Sequence, residues 1–171
     1  MSFSSPATDI VSMLLRRALP FLTTFVLVLL AYMPGLVPAL GTVMPPLPLI
    51  PLFYWSIHRP DWFGAISSFA LGLLVDLLLG APLGVTAGLY AVSHLLLMQQ
   101  QRFFRGSPFH VLWAGYAVTQ LTVTLGQALL WWTIADVTPR FLVLLGINVL
   151  GLALFPLVCA VLARLHKWLK E

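Results

Sequence analysis

Residues 18–57 have the sequence ALPFLTTFVLVLLAYMPGLVPALGTVMPPLPLIPLFYWSI, and this stretch decides the fold of the chain. It contains 40 residues without one formal charge, between Arg17 and His58. A single α-helix crosses the roughly 30 Å hydrocarbon core of a bilayer with about 20 residues. The stretch therefore predicts two membrane crossings, over about residues 18–37 and 45–58.

The second of these crossings contains four prolines, at positions 45, 46, 48 and 51. Proline lacks a backbone N–H and breaks regular helix, so the first half of the segment is not expected to be helical. Six residues in a polyproline-like form at about 3.1 Å each, followed by eight helical residues at about 1.5 Å each, extend over roughly 30 Å. The sequence thus predicts a mixed span that just crosses the membrane.

Four more apolar segments follow, separated by short polar or glycine–proline breaks. They cover about residues 62–79, 83–98, 109–132 and 141–163. If the chain crosses six times from a cytoplasmic N-terminus, eight of its nine Lys and Arg residues lie on the cytoplasmic side and only Arg140 lies outside. Because cytoplasmic loops are enriched in Lys and Arg, this arrangement is favoured. The predicted fold is one all-α membrane domain, residues 1–171, with six transmembrane helices and both termini in the cytoplasm.

The composition excludes most other classes of protein. Of the 171 residues, 60% are hydrophobic and 8% are charged, whereas soluble domains carry roughly 25% charged residues. An ordinary soluble enzyme and a disordered tail are therefore excluded. The net charge of +4 comes from scattered residues that form no continuous basic stripe, so no nucleic-acid partner is expected.

Asp76 is the only acidic residue within a predicted span. An ionisable group in lipid is costly and is by default a candidate functional site. It belongs to a series at intervals of four residues, Gly64, Ser68, Gly72, Asp76 and Gly80, of which the last three share a narrow helix face. Small residues at this spacing allow a neighbouring backbone to approach closely, so we expect this face to pack against another helix.

Asp76 has a structural and a chemical interpretation. In the structural one it locks the third helix onto its neighbours, and its expected polar partners are Thr86 and Gln127, which are predicted to lie at a similar depth. In the chemical one it is a proton relay or a substrate-binding group, and a relay needs a second titratable group at that depth. His94, the only such candidate within a span, lies roughly 12 Å deeper by helix rise, which favours the structural interpretation.

The fifth segment also carries a polar face, formed by Tyr116, Gln120, Thr124 and Gln127 at spacings of four, four and three residues. Such a face is expected to point into the bundle, where polar groups in lipid find partners. A ligand pocket is the alternative interpretation. Asn148 on the sixth segment allows the same two interpretations.

Signatures of catalysis are absent from the sequence. It contains no His-Glu-x-x-His pair, no Gly-x-Ser-x-Gly elbow and no phosphate-binding Walker loop. The single cysteine, Cys159, cannot form a disulfide framework or a cysteine-based zinc site. We therefore expect no enzyme activity, no catalytic or metal-binding residue and no cofactor.

Residues 68–84, SFALGLLVDLLLGAPLG, resemble the MreD family of rod shape-determining proteins. That family shows Phe-x-x-Gly-Leu-x-x-Asp followed by Gly-x-x-x-Gly between two spans, and a proline-rich second span that ends in Arg-Pro. The resemblance identifies candidate residues for helix packing or partner contact. They are Arg59, Pro60, Gly72, Asp76, Gly80, Pro82 and Gly84.

The resemblance implies a bacterial inner-membrane scaffold of the elongation complex that maintains rod cell shape. It implies MreC as a partner, MreB as a direct or indirect partner, and association with the glycosyltransferase and transpeptidase of lateral peptidoglycan synthesis, in contact with membrane lipids. The family is also similar to the six-helix substrate-binding subunits of energy-coupling-factor transporters. A substrate-binding membrane subunit of a vitamin-type transporter is therefore the alternative function.

Overall fold

The computed structural model of the chain describes residues 6–32, 45–135 and 140–168. Within these residues the chain forms six α-helices and no β-strand. The helices are α1 (Pro6–Tyr32), α2 (Leu49–His58), α3 (Ala65–Leu79), α4 (Val85–Phe104), α5 (Phe109–Ala135) and α6 (Phe141–Trp168). Each helix overlaps one apolar segment predicted from the sequence, and residues 33–37 of the first segment lie outside the described residues.

Helix α2 is the shortest of the six and forms the centre of the bundle. Its residues from Leu49 to Ile57 are all buried, and it packs against α1, α4, α5 and α6. Its 10 residues extend over about 15 Å, half the thickness of a hydrocarbon core. Helix α2 is therefore a core helix enclosed by the others.

The proline-rich entry to α2 is a turn, and the expected polyproline-like half of this segment is wrong. Pro48 has helical backbone angles, with φ −66° and ψ −23°, and the helix begins directly after it. Pro51 lies in the first turn of the helix, where its missing N–H removes no helical hydrogen bond. The chain consequently enters α2 as a helix and gains no length from an extended stretch.

The prolines leave no unpaired backbone donor at this entry. Half of residues 45–52 are prolines, which have no N–H to satisfy. The N–H groups of Leu47, Leu49, Ile50 and Leu52 donate to the carbonyls of Pro45, Pro46, Leu47 and Pro48, at 2.8, 3.0, 3.3 and 3.3 Å respectively. An interruption of helix within a membrane is tolerated where the protein itself pairs its backbone groups, and this segment meets that condition.

Helices α3 and α4 form a hairpin and the most extensive helix pair among the described residues. Helices α5 and α6 are antiparallel, because Trp113 donates to the carbonyl of Leu152 at 3.1 Å while Gln120, further along α5, donates to that of Ile147 at 3.1 Å. Helix α5 also packs against α4. The hairpin and the α5–α6 pair together surround much of α2.

The outer surface of the bundle is more apolar than that of a soluble domain, and several polar side chains lie in its interior. Asp76, Thr86 and Gln120 are completely buried, whereas large apolar side chains such as Leu142 (78% exposed) and Val118 (67% exposed) face outward. Soluble monomers rarely expose apolar surface continuously in this way. Surrounding lipid accounts for the arrangement, since it solvates apolar side chains and leaves polar groups to pair inside the bundle.

Length and hydropathy distinguish one helix in particular. Among the described residues, the helical segment Phe141–His166 of α6 alone is long and apolar enough to cross a membrane by itself. Its most apolar stretch is mostly exposed, unlike the core helix of a soluble protein. The segments Ala18–Tyr32 and Ala65–Leu79 are apolar but shorter.

Candidate functional site at the α3–α4 hairpin

The carboxyl group of Asp76 caps the N-terminus of helix α4. Its Oδ2 accepts hydrogen bonds from the backbone N–H groups of Gly84 at 2.9 Å and Ala87 at 3.4 Å, and its two oxygens accept from that of Thr86 at 3.1 and 3.2 Å. The first N–H groups of an α-helix have no partner within the helix and carry its positive dipole end. A side chain of α3 therefore provides the N-terminal cap that α4 lacks from its own residues.

Gly80 ends α3 immediately after Asp76. Its φ of +62° is left-handed, a conformation that glycine adopts without the steric cost of a Cβ atom. The N–H of Gly80 donates to the carbonyl of Leu77 at 3.4 Å, and that of Ala81 donates to the carbonyl of Asp76 at 3.0 Å. This pair of bonds is the Schellman arrangement of helix C-termini. Asp76 is thus bonded through its backbone to the end of α3 and through its side chain to the start of α4.

Gly72 is the point of closest approach between the two helices. A Cβ atom at this position would lie 2.6 Å from Cα of Ala87 and 2.8 Å from both the nitrogen of Ala87 and the carbonyl oxygen of Thr86. All three are backbone atoms, which cannot move aside as a flexible side chain can. The close packing of α3 on α4 depends on the absence of a side chain at Gly72. The hydrogen bonds from α4 to the Asp76 carboxyl depend on the same close packing.

Pro82 and Gly84 complete the turn between the helices. The carbonyl of Pro82 accepts from Val85 at 3.4 Å, and Gly84 has a φ of +97° at the position preceding α4. The predicted small-residue positions 72, 80 and 84 therefore lie together in the hairpin around the Asp76 side chain. Whether the same residues contact a partner stays a prediction.

Thr86 and Gln127 lie beside Asp76 but are connected to it differently from the expectation. Thr86 reaches the carboxyl group through its backbone N–H, while its hydroxyl accepts a hydrogen bond from Nε2 of Gln127 at 2.9 Å. No bond joins Gln127 to Asp76 directly among those that the described residues form. The three residues make a chain of contacts from α3 through α4 to α5.

Arg59 and Pro60 lie outside this site, at the end of α2. The guanidinium of Arg59 lies over the ring of Trp62, 4.6 Å from its centroid, in a cation–π contact. The family resemblance lists these two residues together with Asp76, but in the fold they lie at a different place from it.

Arg105 has a structural role that the sequence analysis missed. Its Nε donates to the carbonyl of Ile57 at 3.1 Å and its Nη2 to that of His58 at 3.2 Å. Both carbonyls belong to the last turn of α2, where a cation is favoured by the helix dipole. The signal available in the sequence is a basic residue after α4, but only the fold shows which helix it caps.

Several interior polar residues pair with their neighbours, whereas the hydroxyl of Tyr116 and Oε1 of Gln120 are buried without a partner among the described residues. Nδ1 of His94 lies 2.8 Å from the hydroxyl of Ser56 on α2, which also donates to the carbonyl of Leu52 at 2.7 Å. Gln120 donates to the carbonyls of Ile147 at 3.1 Å and Asn148 at 3.2 Å. The side chains of Tyr116, Gln120 and Thr124 are buried and Gln127 is half-buried, so the polar face of α5 points inward.

These contacts define what Asp76 can do chemically. Every group that the structure shows bonded to its carboxyl is a backbone N–H, a donor that does not titrate and cannot pass a proton on. Within the described part of the chain, no three His, Cys, Asp or Glu side chains come together as a metal site would require. The arrangement suits the joining of two helices.

Taken together, the buried polar interior, the apolar exterior and the capped hairpin define an all-helical membrane protein. The family model of rod shape-determining protein MreD matches residues 15–142, which include the whole hairpin. The chain belongs to the MreD family, and its role therefore lies in determining rod cell shape. No curated protein and no solved structure gives a significant match to it.

Proposed function

We propose that this chain is a multi-pass scaffold in the bacterial inner membrane that binds MreC within the elongation complex. Through MreC it would associate with MreB and with the glycosyltransferase and transpeptidase of lateral peptidoglycan synthesis. The observation that carries the proposal is the outward-facing apolar surface of α5 and α6. Such a bundle offers helix surfaces to a membrane partner.

The distribution of arginines supports an orientation with both termini in the cytoplasm. Arg105 contacts the last turn of α2, and Tyr54 of α2 lies 3.3 Å from His166 near the end of α6. Arg59, Arg102, Arg105 and Arg164 consequently gather at one end of the bundle, whereas Arg140 precedes α6 at the other. Basic residues favour the cytoplasmic side, so the end with four arginines is assigned to the cytoplasm.

Cysteine labelling tests this orientation. In a Cys159→Ala background we expect Ser107→Cys, between α4 and α5, to react only from the cytoplasmic side. Val137→Cys, between α5 and α6, should react with a membrane-impermeant maleimide added to intact spheroplasts. Ser107 is preferred to its neighbour Gly106, whose φ of +89° disfavours a side chain. Reaction of Ser107→Cys from outside would contradict the orientation.

Contact with a transmembrane helix is the proposed mode of MreC binding. The turn between α3 and α4 has no polar side chain between Leu77 and Val85, so it offers few groups to a soluble periplasmic domain. The lipid-facing sides of α5 and α6 instead present apolar side chains at helical spacing, including Leu125 and Val149. A helix partner in the membrane binds through such surfaces by close packing.

Site-specific photo-crosslinking distinguishes this mode from loop binding. We expect a photoreactive residue at Leu125 or Val149 to capture the transmembrane segment of MreC in living cells. The matched controls are the same residue at Ser107 and at Val137, in the connections between helices. Capture of MreC from the connections alone would contradict the proposal. Co-purification of a coupling ATPase and a bound vitamin in place of MreC would support the transporter alternative.

A further inference from the structure

The hydrogen bond between Gln127 and Thr86 fixes the level of the α3–α4 turn relative to α5. Thr86 lies two residues after Gly84, the last residue of the turn, whereas α5 continues eight residues beyond Gln127 to Ala135. Eight helical residues extend over about 12 Å. Helix α5 therefore rises well past the level at which α3 and α4 connect.

The lengths of the helices lead to the same conclusion. Helix α3 has 15 residues, about 22 Å, whereas α5 has 27 residues, about 40 Å. A hydrocarbon core is roughly 30 Å thick. Helix α3 is therefore shorter than the core, whereas α5 exceeds it in length.

The side chains of the turn are those of a lipid-exposed surface. Residues 77–85 are Leu, Leu, Leu, Gly, Ala, Pro, Leu, Gly and Val, without a polar side chain among them. Leu77 is 61% exposed and Leu83 is 65% exposed. Turns that face water are typically rich in Asn, Asp and Ser, none of which occurs here.

Six backbone N–H groups of the turn and of the start of α4 are paired. The N–H groups of Gly80, Ala81 and Val85 donate to carbonyls within the hairpin, and those of Gly84, Thr86 and Ala87 donate to the Asp76 carboxyl. In hydrocarbon each unpaired backbone group costs several kcal/mol, while in water the same groups would be solvated at little cost. The carboxyl of Asp76 is thus the acceptor that a turn inside the membrane needs.

From these four observations we infer that the α3–α4 turn lies within the hydrocarbon layer, covered by lipid acyl chains of the outer leaflet. Asp76 is the internal acceptor that makes this position possible, and Leu77 and Leu83 form the surface in contact with the acyl chains. The inference rests on the proposed orientation, since the outer leaflet is the one that faces this end of the bundle.

Labelling at Leu83 tests the inference. In the Cys159→Ala background, Leu83→Cys and Val137→Cys are reconstituted separately into phosphatidylcholine vesicles and exposed to a charged maleimide. Because the reactive thiolate is disfavoured in an apolar medium and the charged reagent stays in water, we expect Leu83→Cys to react roughly a hundredfold more slowly than Val137→Cys. Equal rates would place the turn in water and overturn the inference.

A second measurement reports on lipid directly. A polarity-sensitive fluorophore is attached to each variant in detergent before reconstitution, and nitroxides on the lipid acyl chains serve as quenchers. At Leu83→Cys we expect blue-shifted emission and strong quenching by the acyl-chain nitroxide, and at Val137→Cys neither. Stronger quenching at Leu83→Cys by a water-soluble nitroxide would overturn the inference. Failure of the orientation alone would appear differently, as reaction of Ser107→Cys from outside the cell with these depth results unchanged.

Discussion

Replacing Gly72 by alanine should move α3 away from α4. We expect this substitution to destabilise the protein more than any other that adds a single methyl group to the hairpin. The new Cβ atom would lie 2.6 Å from Cα of Ala87, so the helices must move apart by several tenths of an ångström or more. Overpacking of this kind costs about 1–3 kcal/mol by itself. The displacement also lengthens the bonds from Asp76 to α4, so we expect a total loss of about 3 kcal/mol or more in the free energy of unfolding.

Gly88→Ala is the matched control for this substitution. Gly88 lies on α4, one residue after Ala87, and a Cβ atom there meets nothing within 4 Å. Because alanine favours helix over glycine by up to about 1 kcal/mol, this variant should be as stable as the parent or slightly more so. The measurement is unfolding in mixed micelles at increasing SDS fraction. Equal midpoints for Gly72→Ala and Gly88→Ala would contradict the close-packing argument.

Much of the hairpin was predictable because its determinants are local in the sequence. The intervals of four from Gly64 to Gly80 place Gly72 and Asp76 on one helix face whatever the rest of the chain does. The reversal at Gly80 follows from a residue that tolerates positive φ at the end of an apolar helix. The closeness of Thr86 to Asp76 could be predicted because the turn between their helices is short.

The contacts that could not be predicted depend on backbone geometry or on distant segments. The pattern of side chains suggested that Asp76 bonds the side chains of Thr86 and Gln127, but its partners are backbone N–H groups, which every residue possesses and no sequence pattern marks. Arg105 caps α2, a helix 47 residues earlier in the chain, and that pairing depends on how the helices assemble. The sequence analysis placed the start of α2 too late because the prolines were expected to make the chain extended. In the structure three of the prolines precede the helix and the fourth fits its first turn.

The assignment of Asp76 as a cap predicts a graded series of substitutions. Asp76→Leu removes the acceptor and leaves the N–H groups of Gly84, Thr86 and Ala87 buried without partners. Each unpaired buried donor costs about 1–3 kcal/mol, so we expect a loss of at least about 3 kcal/mol in the free energy of unfolding. Thr124→Val is the control for loss of a buried polar group, since its hydroxyl bonds only to the carbonyl of Gln120 in its own helix at 2.8 Å. That variant should unfold close to the parent.

Asp76→Asn separates the cap from a proton relay. Asparagine is a good N-terminal cap, but it keeps one acceptor oxygen where the carboxyl uses two, and its NH₂ group would face an N–H donor. The cap therefore predicts an unfolding midpoint between those of the parent and Asp76→Leu, with cell width following stability across the series. A relay requires a group that titrates, so it predicts that Asn rounds the cells as severely as Leu while the protein remains as stable as the parent. SDS unfolding and cell width, measured for the same variants at matched protein levels, decide between the two. Rounded cells with a fully stable Asp76→Asn protein would overturn the assignment of Asp76 as a structural cap.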